Sequence, residues 1–325
     1  MTPPPIALSV VVVTYDQERE LARTVRSLTV PYQRDIDPDD YEVIVVDNGS
    51  PRDPRSTLSG DLASLVHVHR VANASVSPAH AANVGMEMAR GDLIGLIIDG
   101  ARMASPGLLS TVRLAAQLAP RVIATAPAWH LGSAVQGSAL ASGYDQTTED
   151  ARLAAVGWEK DGYGLFSIAT PAASSGRGLF GPMGESSSLF LRRSLWTELG
   201  GLDERFVLPG GGLVNHDLYG RACDLVDAPL VVVLGEGTFH QIHGGAATSG
   251  RVTRDEMRAE YEAIRQKPHR PPSNDPVFVG GVHPQYLPYL RASIELREAV
   301  VGSPHRDTRG TIGGHQAEHR GEGLT

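Results

Sequence analysis

The chain has 325 residues, 41% hydrophobic and 20% charged, with a formal net charge of −8 and a single cysteine, Cys223. That length supports one large domain or two closely joined lobes around a sizeable core, and the composition excludes a disordered or fibrous protein. The acidic balance argues against a nucleic-acid partner, which asks for a basic face, and a lone cysteine excludes an intramolecular disulfide and fits a reducing cytoplasm.

The N-terminal stretch MTPPPIALSVVVVTYDQ has no basic region and no small-residue cleavage site, so no leader is expected there. No apolar stretch reaches the roughly 20 residues of a spanning helix. Residues 8–14 (LSVVVVT), 41–47 (YEVIVVD) and 92–99 (DLIGLIID) are apolar runs that read as buried parallel strands. Between them the spacing of Leu21, Val25 and Leu28 predicts a helix over 17–28, with Asp16 as its N-cap. Residues 65–69 read as a short strand and 78–89 as a helix. A helix over 106–118 opens with Ser105 as cap and Pro at its first position, and 121–126 is a further strand. The alternation of β and α predicts a doubly wound, mostly parallel sheet with helices on both faces.

From residue 127 to 184 the chain is rich in Gly, Ala and Ser with weak periodicity and reads as variable loops. Strands follow at 186–192 and 229–234, and helices at 194–199, 215–223, 252–265 and 285–300. Residues 302–325 have almost no apolar content and read as a disordered tail. The expected organisation is 1–126, 127–267 as a second half of the same domain, a helical extension over 268–301, and the tail.

Several carboxylates and histidines stand where open α/β sheets bind ligands, at the C-terminal ends of strands. Asp47 closes the second strand before Asn48-Gly49-Ser50, where it either accepts a hydrogen bond from a ligand or shapes an Asx-turn. Asp99 closes the third and is followed by Gly100, Ala101 and Arg102. Arg102 is either a positive charge for a ligand or a solvated surface residue. His240 and His243 form a compact H-x-x-H that suits a metal, a phosphate or local hydrogen bonds. Gly210, Gly211 and Gly212 permit close backbone approach or positive φ, either for a ligand pocket or for a permissive loop. Trp158, Tyr163, Phe166 and Trp196 are candidates for stacking on a ligand ring or for the core.

The series VVVTYDQ, VIVVDNGS, HAANVGMEMARGDLIGLIID and MGESSSLFLRRSLWTELGGLDERF, in this order, resembles the family 2 glycosyltransferases. The resemblance runs over about residues 7–245 and implies the GT-A fold. It implies transfer of a sugar from a UDP- or GDP-linked donor to the hydroxyl of a glycan, a lipid-linked acceptor or a small molecule, with inversion. A peripheral site at the inner membrane face would serve a lipid-linked acceptor. The implied donor-binding residues are Thr14, Tyr15, Asp16, Asp47, Asn83, Asp99 and Arg102, with Asp47 on the base. Asn83 has a second reading, a hydrogen bond within its helix.

The chain departs from the family at two points. The family's Asp-x-Asp reads Asp99-Gly100-Ala101 here, so Asp99 and His240 would hold any Mn²⁺ or Mg²⁺ without the second carboxylate. Restoring it with Ala101→Asp is expected to raise metal affinity. The family's Glu-Asp pair, which supplies the general base, reads Val214-Asn215. The base is then Asp217, Glu185, His216 or a residue outside the motif. His243, His216 and Gly211 are candidate phosphate or acceptor contacts. Loss of both carboxylates keeps a second reading in play, a non-catalytic nucleotide- or glycan-binding protein. A nucleotidyltransferase is disfavoured because VVVTYDQERE has no glycine-rich phosphate loop.

Overall fold

In the strands Leu8–Thr14 (β1) and Tyr41–Asp47 (β2) every residue is buried. Alternate side chains enter opposite cores. Val11, Val13, Ile44 and Val46 join one hydrophobic cluster, while Val10, Val12, Val43 and Val45 join the other. Two-sided burial is what a continuous β-branched run encodes when helices cover both faces of a sheet. The computed structural model describes residues 7–58, 60–134, 138–139, 143–243 and 252–302. Apart from Gly302, the expected tail lies outside the described residues.

The main sheet has eight strands. The remaining six are His67–Arg70 (β3), Leu93–Ile97 (β4), Ile123–Thr125 (β6), Ser188–Arg192 (β9), Leu230–Leu234 (β10) and Val277–Gly280 (β12). Their order is β12-β10-β6-β9-β4-β1-β2-β3. All neighbours pair in parallel except β9, which is antiparallel to both β4 and β6. The stretch expected to be a helical extension also contributes β12, an edge strand of the main sheet.

Helix Glu18–Ser27 (α1) and helix Leu108–Ala115 (α3) pack into the Val10/Val12 cluster through Leu21, Val25, Leu108 and Val112. Helix Ala79–Met88 (α2) covers the other face. Gly85 lets it lie close, since a Cβ there would come within 2.4 Å of Val11 and 2.7 Å of Val46. Arg193–Leu199 (α5) and Val214–Cys223 (α6) share this face through Leu195 and Leu218.

Two expected caps are replaced. Gln17, not Asp16, precedes α1, and Asp16 instead adopts a left-handed φ of 52° with its N–H donating to Ser50 Oγ. Ser105 does not cap α3, which begins after Gly107; its hydroxyl bonds the buried carboxylate of Glu236.

The region 127–184 is more ordered than its composition implies. It contains strands Ala128–Leu131 (β7) and Ala169–Pro171 (β8) and helix Gln146–Val156 (α4). With Arg102–Ala104 (β5) and Thr238–His240 (β11) they build a second sheet of order β5-β11-β7-β8. Trp129, Phe166 and Phe239 pack on one side of it with ring centroids 4.9–6.3 Å apart. Trp158 stands against Tyr32, and Trp196 donates to Ile94 O. Trp158, Phe166 and Trp196 are thus core residues, while half-buried Tyr163 donates to Glu236. Helices Arg254–Arg265 (α7) and Leu287–Gly302 (α8) complete the described chain.

Candidate functional site

Parallel strands that end at one edge bring distant residues to a common rim. Thr14 pairs with Asp47, and Val12 with Ile97, so Asp99 emerges level with Thr14. The reversed strand β9 enters from this same rim, with Ser188 opposite Ile97, which brings Glu185 and Ser187 there too. The second sheet closes one side. Arg102, His240 and His130 lie directly opposite one another across β5, β11 and β7. The cleft enclosed by these elements and α7 has a volume of about 1370 Å³.

At one end, three ligating atoms converge. His240 Nε2 is 2.6 Å from Asp99 Oδ2, His243 Nε2 is 3.3 Å from the same oxygen, and the two imidazole nitrogens are 3.0 Å apart. Gln17 braces the group: its amide donates to Asp99 Oδ1 at 2.5 Å and lies 3.4 Å from His243 Nδ1, while its oxygen accepts from Thr14. Burial alone would raise Asp99, but His243 and His240 hold it well below the usual carboxylate range. Burial pushes His240 down to about 4, which leaves it neutral at neutral pH. Burial also opposes charge on His243, yet Asp99 outweighs it and raises the imidazole.

One carboxylate and two imidazoles meeting at a point is a donor set suited to a divalent cation. The three atoms lie within 4.8 Å of one another. The residues therefore fit the implied metal without a carboxylate at position 101. Beside them, Arg102 is only 9% exposed, and its Nε and Nη1 have no hydrogen-bond partner among the described residues. Asp99 and Glu185 are the acidic groups acting on it. It is not a solvated surface arginine.

At the other end, Glu185 lines the cleft with His216 Nδ1 at 3.4 Å and the amide of Asn215 donating to it at 3.1 Å. The His269 ring stands edge-on to His216 at 5.3 Å.

Residues 9–109 match the family model described as Glycosyl transferase family 2. The chain has the GT-A fold. Among solved structures it is similar to S. aureus TarS 1–349 in complex with UDP-GlcNAc, with 12% identity, a TM-score of 0.55, and 80% of this chain and 65% of that one covered. TarS 1–349 without ligand in its title gives 13% identity, a TM-score of 0.51, and coverage of 79% and 66%. The mannosyltransferase PcManGT from Pyrobaculum calidifontis, in complex with GDP-Man and Mn²⁺, gives 16% identity, a TM-score of 0.50, and coverage of 92% and 73%. The chain thus spans just under two thirds of the length of TarS 1–349. No curated protein sequence matches it significantly.

Thr14, Tyr15, Asp16, Asp99, Arg102, Glu185, His216, His240 and His243 all line the one cleft. Four candidates do not. Asp217 is buried and held by Arg221 and Arg265, at 2.8 and 2.5 Å, so it is closed to an acceptor hydroxyl. Asn83 commits its amide to Leu202 and Glu204, tying α2 to the loop after α5. Gly211 is buried, and a Cβ there would meet Val214 at 2.7 Å, while Gly210 and Gly212 face the cleft.

Asp47 lies beneath the rim. Its Oδ1 accepts from the Ser50 N–H and hydroxyl, which is the Asx-turn reading, and its Oδ2 faces Arg70 Nε at 3.3 Å. Asn48 and Gly49, the next two residues, reach the cleft instead. Gln17, His130 and Ser187 are cleft residues that the motifs did not single out. Only β5, β7 and β11, strands of three or four residues, reveal His130.

Proposed function

We propose that the chain transfers a sugar from a nucleotide-diphosphate donor, UDP- or GDP-linked, to a hydroxyl acceptor with inversion. The observation that carries this reading is the sharing of one cleft, on a GT-A fold, by the Asp99–His240–His243 group and Glu185. Asp99, His240 and His243 would hold Mn²⁺ or Mg²⁺, which when bound supplies positive charge for the donor diphosphate. Arg102 brings its idle guanidinium to the same anion. Such fixed charge is most effective where a leaving group gains charge in a site shielded from water.

Glu185 acts as general base. The acceptor oxygen attacks the anomeric carbon, the bond from that carbon to the diphosphate oxygen breaks, and its electron pair leaves with the nucleoside diphosphate. The hydroxyl proton passes to Glu185. Asn215, which stands where the family carries an acid, cannot take a proton, but it orients Glu185 by donating to it. The acceptor class spans glycans, lipid-linked acceptors and small molecules. Among the described residues no helix is long and apolar enough to cross a membrane.

Release of nucleoside diphosphate from UDP-glucose, UDP-GlcNAc and GDP-mannose, with and without Mn²⁺ and over a panel of hydroxyl acceptors, tests this. We expect turnover of one donor, and a loss of about 10²–10⁴-fold in kcat for Glu185→Gln with donor binding retained. Nucleotide binding with no turnover of any donor would leave the non-catalytic reading standing.

A further inference from the structure

The cleft wall built by the second sheet holds an unusual set of polar atoms. Arg102, His240 and His130 form a cross-strand row, while Met103, Phe239 and Trp129, the adjoining row, turn into the core. His130 Nδ1 and Ser187 Oγ are both buried, and neither has a hydrogen-bond partner among the described residues. Ser187 is 3% exposed. Its neighbour Ser186, which faces away, is satisfied by Thr125 Oγ1 at 2.5 Å. Buried polar atoms are almost always paired, so unpaired ones that line a cleft mark where a ligand makes its contacts.

Their position in the site says which part of a ligand. His130 stands one strand beyond His240, with the rings 5.4 Å apart and edge-on. Ser187 follows Glu185 by two residues, at the level of Ile98 in the sheet. The pair thus adjoins the diphosphate-binding group on one side and the general base on the other, where the transferred sugar must sit if the donor reading above holds. An imidazole nitrogen and a hydroxyl either donate or accept, as sugar hydroxyls do.

We propose that His130 and Ser187 form the subsite for the transferred sugar and hold it through its hydroxyl groups. This rests on the donor reading, and the test separates the two. Calorimetry would compare UDP and GDP with UDP-glucose, UDP-GlcNAc, UDP-glucuronic acid and GDP-mannose, on wild type, His130→Gln and Ser187→Ala.

The expected result has two parts. Each variant binds the nucleoside diphosphate within about twofold of wild type and the preferred nucleotide-sugar about tenfold or more weakly. Retained diphosphate binding shows that the variants fold. Unchanged nucleotide-sugar affinity in both variants, or equal loss for diphosphate and nucleotide-sugar, would each overturn the subsite. A wild type that binds none of these nucleotides overturns the donor reading itself, and the subsite with it.

Discussion

The two oxygens of Asp99 have separate tasks: Oδ1 accepts from Gln17 and from the Ala101 N–H, leaving Oδ2 for the two imidazoles. Removing one imidazole should cost the metal much of its hold. His243→Ala is expected to weaken Mn²⁺ by about 10–100-fold, read by electron paramagnetic resonance titration. Ala101 is the more informative position. It is fully buried, with its carbonyl accepting from Gln241, so a carboxylate there would be a buried charge rather than a fourth ligand. Ala101→Asp is therefore expected to destabilise the fold by about 2–4 kcal/mol in urea unfolding, with no gain in Mn²⁺ affinity, contrary to the expectation from the motif.

Helix α4 shows how an element far from the chemistry fixes it. Glu149, fully buried, accepts from the Ile242 N–H at 2.8 Å and from Arg19 at 2.8 Å, and Arg19 donates to Ile242 O. This bracket holds the segment between His240 and His243. Burial lifts Glu149 from 4.5 to about 7 despite Arg19 and Arg23. The folded state then binds the proton more tightly than the unfolded chain does. This group's contribution to stability accordingly falls as pH rises from about 4.5 to 7. Glu149→Gln should flatten that fall, measured as Tm between pH 5 and 8. The elements of residues 1–126 were legible because long β-branched runs and one amphipathic stripe leave little choice of period. Strands β1 and β2 fall on their expected residues, and β4 and α1 within two. The second sheet was not legible, because its strands of three or four residues are too short to show a period, and α4 carries only a weak apolar stripe. Asp99, His240 and Glu185 could be read as candidates from their places after or before strands. That Asp217 is locked by Arg221 and Arg265 could not, since Arg265 is 48 residues away.

Across the whole molecule, helices on both sides press on a sheet whose core offers no slack. Gly85→Ala would force a methyl against fully buried Val11 and Val46, and should cost about 1–3 kcal/mol in thermal unfolding, with nucleotide affinity little changed in the fraction that stays folded. The reversed strand β9 has a further consequence. Seven strands run one way, and the residues that follow β1, β2 and β4 reach the rim as those strands leave the sheet. Glu185 and Ser187 reach it as theirs arrives. The Asp99 group and Glu185 are thus positioned from opposite chain directions on one lattice of backbone hydrogen bonds. Their spacing is a property of strand register, and a one-residue slip of β9 would move Glu185 by about 3.4 Å and turn Ser187 to the opposite face of the sheet.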